Sequence, residues 1–93
     1  MELLSFRVPA RRTAGPFAAH ASGTIERLHL AAGAIRVVFG DEVAELRAGD
    51  SRSCVGDAPH LFDNAAGKSE AVIYLVIEAG AAEKGRPRAA LRA

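Results

Sequence analysis

Along most of this chain apolar and polar residues alternate one for one, and turn-forming residues break the alternation about every six to twelve positions. A period of two is the signature of strands with one buried face, whereas a helix would repeat near 3.6. Leu4, Phe6 and Val8 alternate with Ser5 and Arg7 in a first strand. Pro9, Gly15 and Pro16 then mark residues 9–19 as a loop. Strands are predicted over Thr24–Leu30, Ile35–Phe39, Val43–Leu46, 51–55, His60–Asn64 and Glu70–Glu78. Between them lie turns at Ala31-Ala32-Gly33, Gly40-Asp41 and Ala48-Gly49-Asp50. No stretch has the pattern of an amphipathic helix. Seven or so short strands imply an all-β sandwich or barrel.

The last of these strands is apolar on both sides, with Val72, Tyr74 and Val76 on one face and Ala71, Ile73, Leu75 and Ile77 on the other. The outer face of a simple sheet normally meets water, so the second face calls for another sheet or a partner subunit. A homodimer is the expectation. With 93 residues the chain makes one domain with one small core. The net charge of +1 gives no field that would draw it to nucleic acid or to a membrane surface. Arg7, Arg11 and Arg12, and Lys84, Arg86, Arg88 and Arg92 near the other end, read as solvated charge. A single cysteine, Cys54, excludes an internal disulfide and suits a reducing, cytoplasmic setting. Its expected role is that of a small apolar residue packed in its strand. No apolar run reaches the ~20 residues of a membrane span. From Ala79 the composition turns to Ala, Gly, Lys, Arg and Pro, so residues 79–93 are expected to be a mobile tail.

The residues that carry chemistry lie in two places. If residues 20–30 run extended, His20, Ser22, Glu26, Leu28 and Leu30 share a face, leaving Arg27 and His29 to the surface or a subunit contact. Farther on, Gly49 to Asn64 reads as a Gly-Asp turn, a strand, a second turn, and Pro59-His60 leading into another strand, with Asn64 four residues after the histidine. Each residue also has a plain reading. His20 can be a surface residue, Glu26 can pair with Arg36, His60 can bond backbone, and Asn64 can serve a turn. Neither a nucleophile elbow nor a glycine-rich phosphate loop is present.

The order and spacing of Gly49 to Asn64 resemble the second sequence motif of the cupin superfamily. The first cupin motif has two histidines one residue apart, then a glutamate, and a glycine seven residues beyond it. His20, Glu26 and Gly33 fit it, with Ser22 in place of the second histidine. The likeness spans about residues 2–78 and is nearest to the C-terminal sensor domains of bacterial helix-turn-helix regulators. It implies a cupin-type jelly-roll β-barrel of seven to eight strands over residues 1–78, with His20, Ser22, Glu26, His60, Phe62 and Asn64 facing a ligand site inside. It further implies one divalent transition metal (Fe, Zn, Ni or Mn) on His20, Glu26 and His60, with Ser22 holding a water. This donor set is one such metals accept. The expected function is a free-standing, non-catalytic cupin that binds a small molecule and lacks a DNA-binding domain. The alternative is a small metal-dependent enzyme of the isomerase or dioxygenase kind.

Overall fold

A computed structural model describes residues 1–78. Eight strands follow one another in the order β1 (Glu2–Val8), β2 (Thr13–Phe17), β3 (Ile25–Ala32), β4 (Ala34–Phe39), β5 (Glu42–Arg47), β6 (Ser51–Val55), β7 (His60–Asp63) and β8 (Ala71–Glu78). They form two four-stranded antiparallel sheets, ordered β1-β8-β3-β6 and β2-β7-β4-β5. Apart from the β4–β5 hairpin, each connection passes from one sheet to the other, which is the double-sheet jelly roll. No helix among the described residues is long and apolar enough to cross a membrane. The tail expected over residues 79–93 lies outside the described residues.

Alternation sorts the side chains between core and surface. Val8, Leu28, Leu30, Ile35, Val37, Phe39, Leu46, Cys54, Phe62, Ala71, Ile73 and Leu75 are all buried and form one cluster between the sheets. Burying a side chain such as Leu28 or Phe62 stabilises the fold by about 1.5–3 kcal/mol. The two-residue turn Gly40-Asp41 closes the β4–β5 hairpin with Gly40 at φ 59°, a left-handed backbone suited to glycine. At the β3–β4 turn, Gly33 has φ 81°, and a Cβ there would collide with the Glu70 carbonyl. On β8, Ala71, Ile73 and Leu75 face the core and Tyr74 lies on the outer face, 47% exposed.

Two local expectations are corrected. Residues 13–17, expected within a loop, form β2 and pair with β7; the register shifts between Ala14 and Phe17, around Gly15-Pro16. Proline cannot donate to a ladder, but β2 is an edge strand, where proline and bulges are tolerated. Residues 20–30 do not run extended throughout. The Thr24 N–H donates to the Ala21 carbonyl, Gly23 has φ 83°, and the strand starts only at Ile25.

Candidate metal centre

Glu26 belongs to the inward row of β3 with Leu28 and Leu30, opposite Cys54 of β6 and Ile77 of β8. His60 opens β7 in the facing sheet, paired with Phe39 of β4 and Phe17 of β2. The two residues therefore meet from opposite sheets. His20 lies on the crossing between β2 and β3, where its N–H donates to the Gly56 carbonyl (2.9 Å). Nε2 of His20 lies 2.9 Å and Nε2 of His60 3.3 Å from Oε2 of Glu26, and the ligand atoms of all three residues fall within 4.8 Å of one another. Glu26 has no exposed surface and His60 is 4% exposed, while 37% of the His20 side chain reaches solvent. His20 is the side open to water.

The protonation pattern is informative. Nδ1 of His60 lies 2.9 Å from the Ala58 carbonyl, which can only accept, so Nδ1 carries a proton. In the neutral ring Nε2 then presents a lone pair, and the nearest group it faces is the Glu26 carboxylate. Neither Glu26 oxygen receives an aligned hydrogen bond; the imidazoles are close to it but off-axis. Burial pushes the Glu26 carboxyl above its usual value of 4.5, opposed by the charges of His60 and His20 and by the proximity of His20. Two imidazole nitrogens converge on one carboxylate oxygen, at 2.9 Å from His20 and 3.3 Å from His60, and leave a place for a cation or a shared proton.

The donor set suits a metal, which would draw in ligand atoms now spread over up to 4.8 Å. Ligands bonded to zinc at about 2.0–2.2 Å sit roughly 3 Å or a little more from their neighbours, which is the spacing of Glu26 to both imidazoles. The Nδ1 bond to a backbone carbonyl is the outer contact that fixes a ligating histidine's tautomer and ring plane. Aromatic rings brace His60 further. Phe39 stacks on it with centroids 4.8 Å apart and planes 4° apart, His20 lies at 5.3 Å and Phe17 at 5.8 Å.

The remaining expected site residues lie elsewhere around this cluster. Phe62 is buried in the core, edge-on to Phe6 at 5.1 Å and to His60 at 6.2 Å. Ser22 is exposed on the turn before β3. Asn64 is buried, and its amide nitrogen is shared among the carbonyls of Val8 (3.0 Å), Pro9 (3.2 Å) and Ser69 (3.0 Å), a backbone-bonding arrangement. Arg36 lies near Glu45 (3.7 Å), on the outer side of β4, rather than beside Glu26. Arg27 and His29 are exposed, contacting Glu78 and Ser51 respectively. Burial raises the Cys54 thiol pKa, in keeping with an inert packed residue.

Sequence reasoning overlooked Phe17, Phe39 and Gly56. The inward parity of Phe39 on β4 was readable, but its place against His60 depends on the β4–β7 register. Phe17 was hidden inside the supposed loop. Gly56 is buried between the two halves of the cluster: its N–H donates to the Thr24 carbonyl (2.7 Å) and its carbonyl accepts from His20. A Cβ on Gly56 would sit 3.1–3.2 Å from the Glu26 side chain. No sequence signal marks that close approach.

No protein-family model matches the chain, and no curated protein matches it in sequence. Solved structures do match in shape. A Cupin_2 domain of an XRE family transcriptional regulator from Enterobacter cloacae superposes with a TM-score of 0.75 at 18% identity, covering 83% of this chain and 79% of that one. An HTH_3 family transcriptional regulator from Vibrio cholerae gives 0.71 at 22% identity, covering 83% of this chain and 42% of that one. A predicted oxalate decarboxylase from Thermotoga maritima gives 0.67 at 17% identity, covering 81% of this chain and 63% of that one. Identities this low speak to architecture, and together with the interleaved sheets they identify this chain's fold as the cupin fold.

Proposed function

We propose that this chain binds one divalent transition metal through His20, Glu26 and His60, and that the metal anchors a small oxygen-bearing ligand, as in an effector-sensing domain. The reading rests above all on Glu26, a fully buried carboxylate with no aligned donor on which Nε2 of His20 (2.9 Å) and Nε2 of His60 (3.3 Å) converge. A bound metal would supply Lewis acidity and open coordination positions for an anionic or carbonyl oxygen. Glu26 contributes the negative charge that offsets the cation, and Ala58 holds His60 in the ligating tautomer. His20, the solvent-facing member, marks the side from which a ligand arrives. Phe17, Phe39 and Phe62 surround His60 on its other sides, and Phe39 and Phe62 belong to the buried core cluster. The ligand is therefore small and sits at the mouth rather than deep in the barrel. The likeness in shape to two transcriptional regulators supports a sensing role over catalysis, in a cytoplasmic setting.

The test is elemental analysis of untagged protein after exposure to Fe(II), Zn, Ni and Mn in turn. About one equivalent of one of these metals is expected, falling at least tenfold in His60→Ala. Wild-type protein that retains none of the four metals would end the reading. A second reading, a small metal-dependent enzyme, draws on the same donor set and on the likeness to a predicted oxalate decarboxylase. Turnover of a small carboxylic acid by the metal-loaded chain, abolished in His60→Ala, would favour it.

A further inference from the structure

We infer that the site takes a monocarboxylate joined directly to a flat apolar group, an aryl or α,β-unsaturated acid, and that Phe17 is the residue that selects it. This rests on the metal reading above and adds to it the class of ligand.

Phe17 stands apart from the other rings around His60. Phe39 and Phe62 are buried, whereas Phe17 is 44% exposed. A bulge puts it there. Ala14 pairs with Phe62 and Phe17 with His60, so two residues of β2, Gly15 and Pro16, span the place of Leu61 alone on β7. In an unbroken ladder Pro16 would stand opposite His60. The added residue brings a phenyl ring to that position instead, and bulges beside active sites commonly re-aim a side chain in this way. Residues paired across antiparallel strands share a face of the sheet, so Phe17 lies on the inward side with His60. It stays open to water because β2 is a sheet edge. Gly15 makes room for the arrangement: a Cβ there would lie 3.0 Å from the His60 carbonyl and 3.1 Å from Cδ2 of the Phe17 ring.

The Phe17 centroid lies 5.8 Å from that of His60 and 6.1 Å from that of Phe62, both as tilted pairs, so one side of the ring is packed and the rest is free. His20, three residues further on, is the other group beside His60 that reaches solvent. A ligand arriving from water therefore meets one polar wall, His20, and one apolar wall, Phe17. Charge sets the other half of the ligand. Glu26 offsets one of the two charges of a divalent cation, and ligating imidazoles are neutral, so one positive charge is left for a single anionic oxygen group. Asp57, whose Oδ2 accepts from the Gly23 N–H on the turn after His20 (3.3 Å), adds negative charge to this side and works against a dianion. A carboxylate for the centre and a flat apolar body for Phe17 satisfy both walls.

Calorimetric titration of the full chain, loaded with the metal it retains, should compare benzoate with acetate, a flat acid with a bare one. Benzoate should bind about tenfold more tightly, the scale of one good ring–ring contact. In Phe17→Ala that preference should disappear. The ratio of the two affinities, taken within each protein, cancels any general effect of the substitution on the metal. Should Phe17→Ala fail to fold, Phe17→Val, a β-branched residue suited to a strand, should show the same loss. Equal affinities in the wild type, or a preference for benzoate that survives removal of the ring, overturn the inference and leave the metal reading standing. A wild type that holds no metal removes that reading, and this inference with it.

Discussion

Glu26 sits fully buried between two sheets, and its pH behaviour follows from that position. Its carboxyl is held above 4.5, so between the unfolded and folded values the native state binds a proton that the unfolded chain releases. In metal-free protein this contribution to stability is fully present below about pH 4.5 and is lost as pH rises through the folded value, at about 1.4 kcal/mol per pKa unit. Glu26→Gln removes the titration. Denaturant melts of both proteins, taken from acid to neutral pH without metal, should show the wild type losing ground to the variant as pH rises. A constant gap would mean that Glu26 does not titrate in this way. Metal reverses the slope, since only the carboxylate coordinates and affinity therefore rises with pH. The Glu26 environment was only half legible in the sequence. Its inward parity with Leu28 and Leu30 could be read directly, whereas the approach of Gly56 could not, because a glycine that makes room looks like any other turn glycine.

At the scale of elements, Asn64 joins segments that are distant in the chain. One amide bridges the end of β1, at Val8 and Pro9, to Ser69 just before β8. Asn64→Ala removes the donor from one buried and two part-buried carbonyls and should cost about 1–3 kcal/mol, read as a lower urea midpoint with an unchanged slope. Metal affinity should be unaltered, and a tenfold loss of it would show that Asn64 acts on the cluster. Strands with clean alternation, β3, β4 and β8, were legible to within a residue or two. β2 was not, because Gly15 and Pro16 are loop signals whose tolerance here depends on a position at a sheet edge that only the assembled sheet reveals. The turn at Ala21–Thr24 defeated the parity argument for Ser22 in the same way: a period of two holds only while the backbone stays extended.

For the whole molecule, the cluster joins the two sheets, with Glu26 from one and His60 from the other. Metal bound at a hundred times its Kd would stabilise the fold by about 2.7 kcal/mol, and at about 4–8 °C per kcal/mol for a domain this size the melting temperature should rise by roughly 10–20 °C. Scanning calorimetry with and without the metal checks this, with His60→Ala as the control that should not respond; equal shifts in both proteins would place binding elsewhere. The ladder between β1 and β8 has a different consequence, felt while the protein is being made. Among the described residues the only strand that β1 pairs with is β8, and its ladder runs from Val8 with Ala71 to Glu2 with Ile77. A nascent chain halted before Ala71 thus cannot complete this sheet, and the apolar residues of β1 stay bare until β8 has been made, an opening for chaperones.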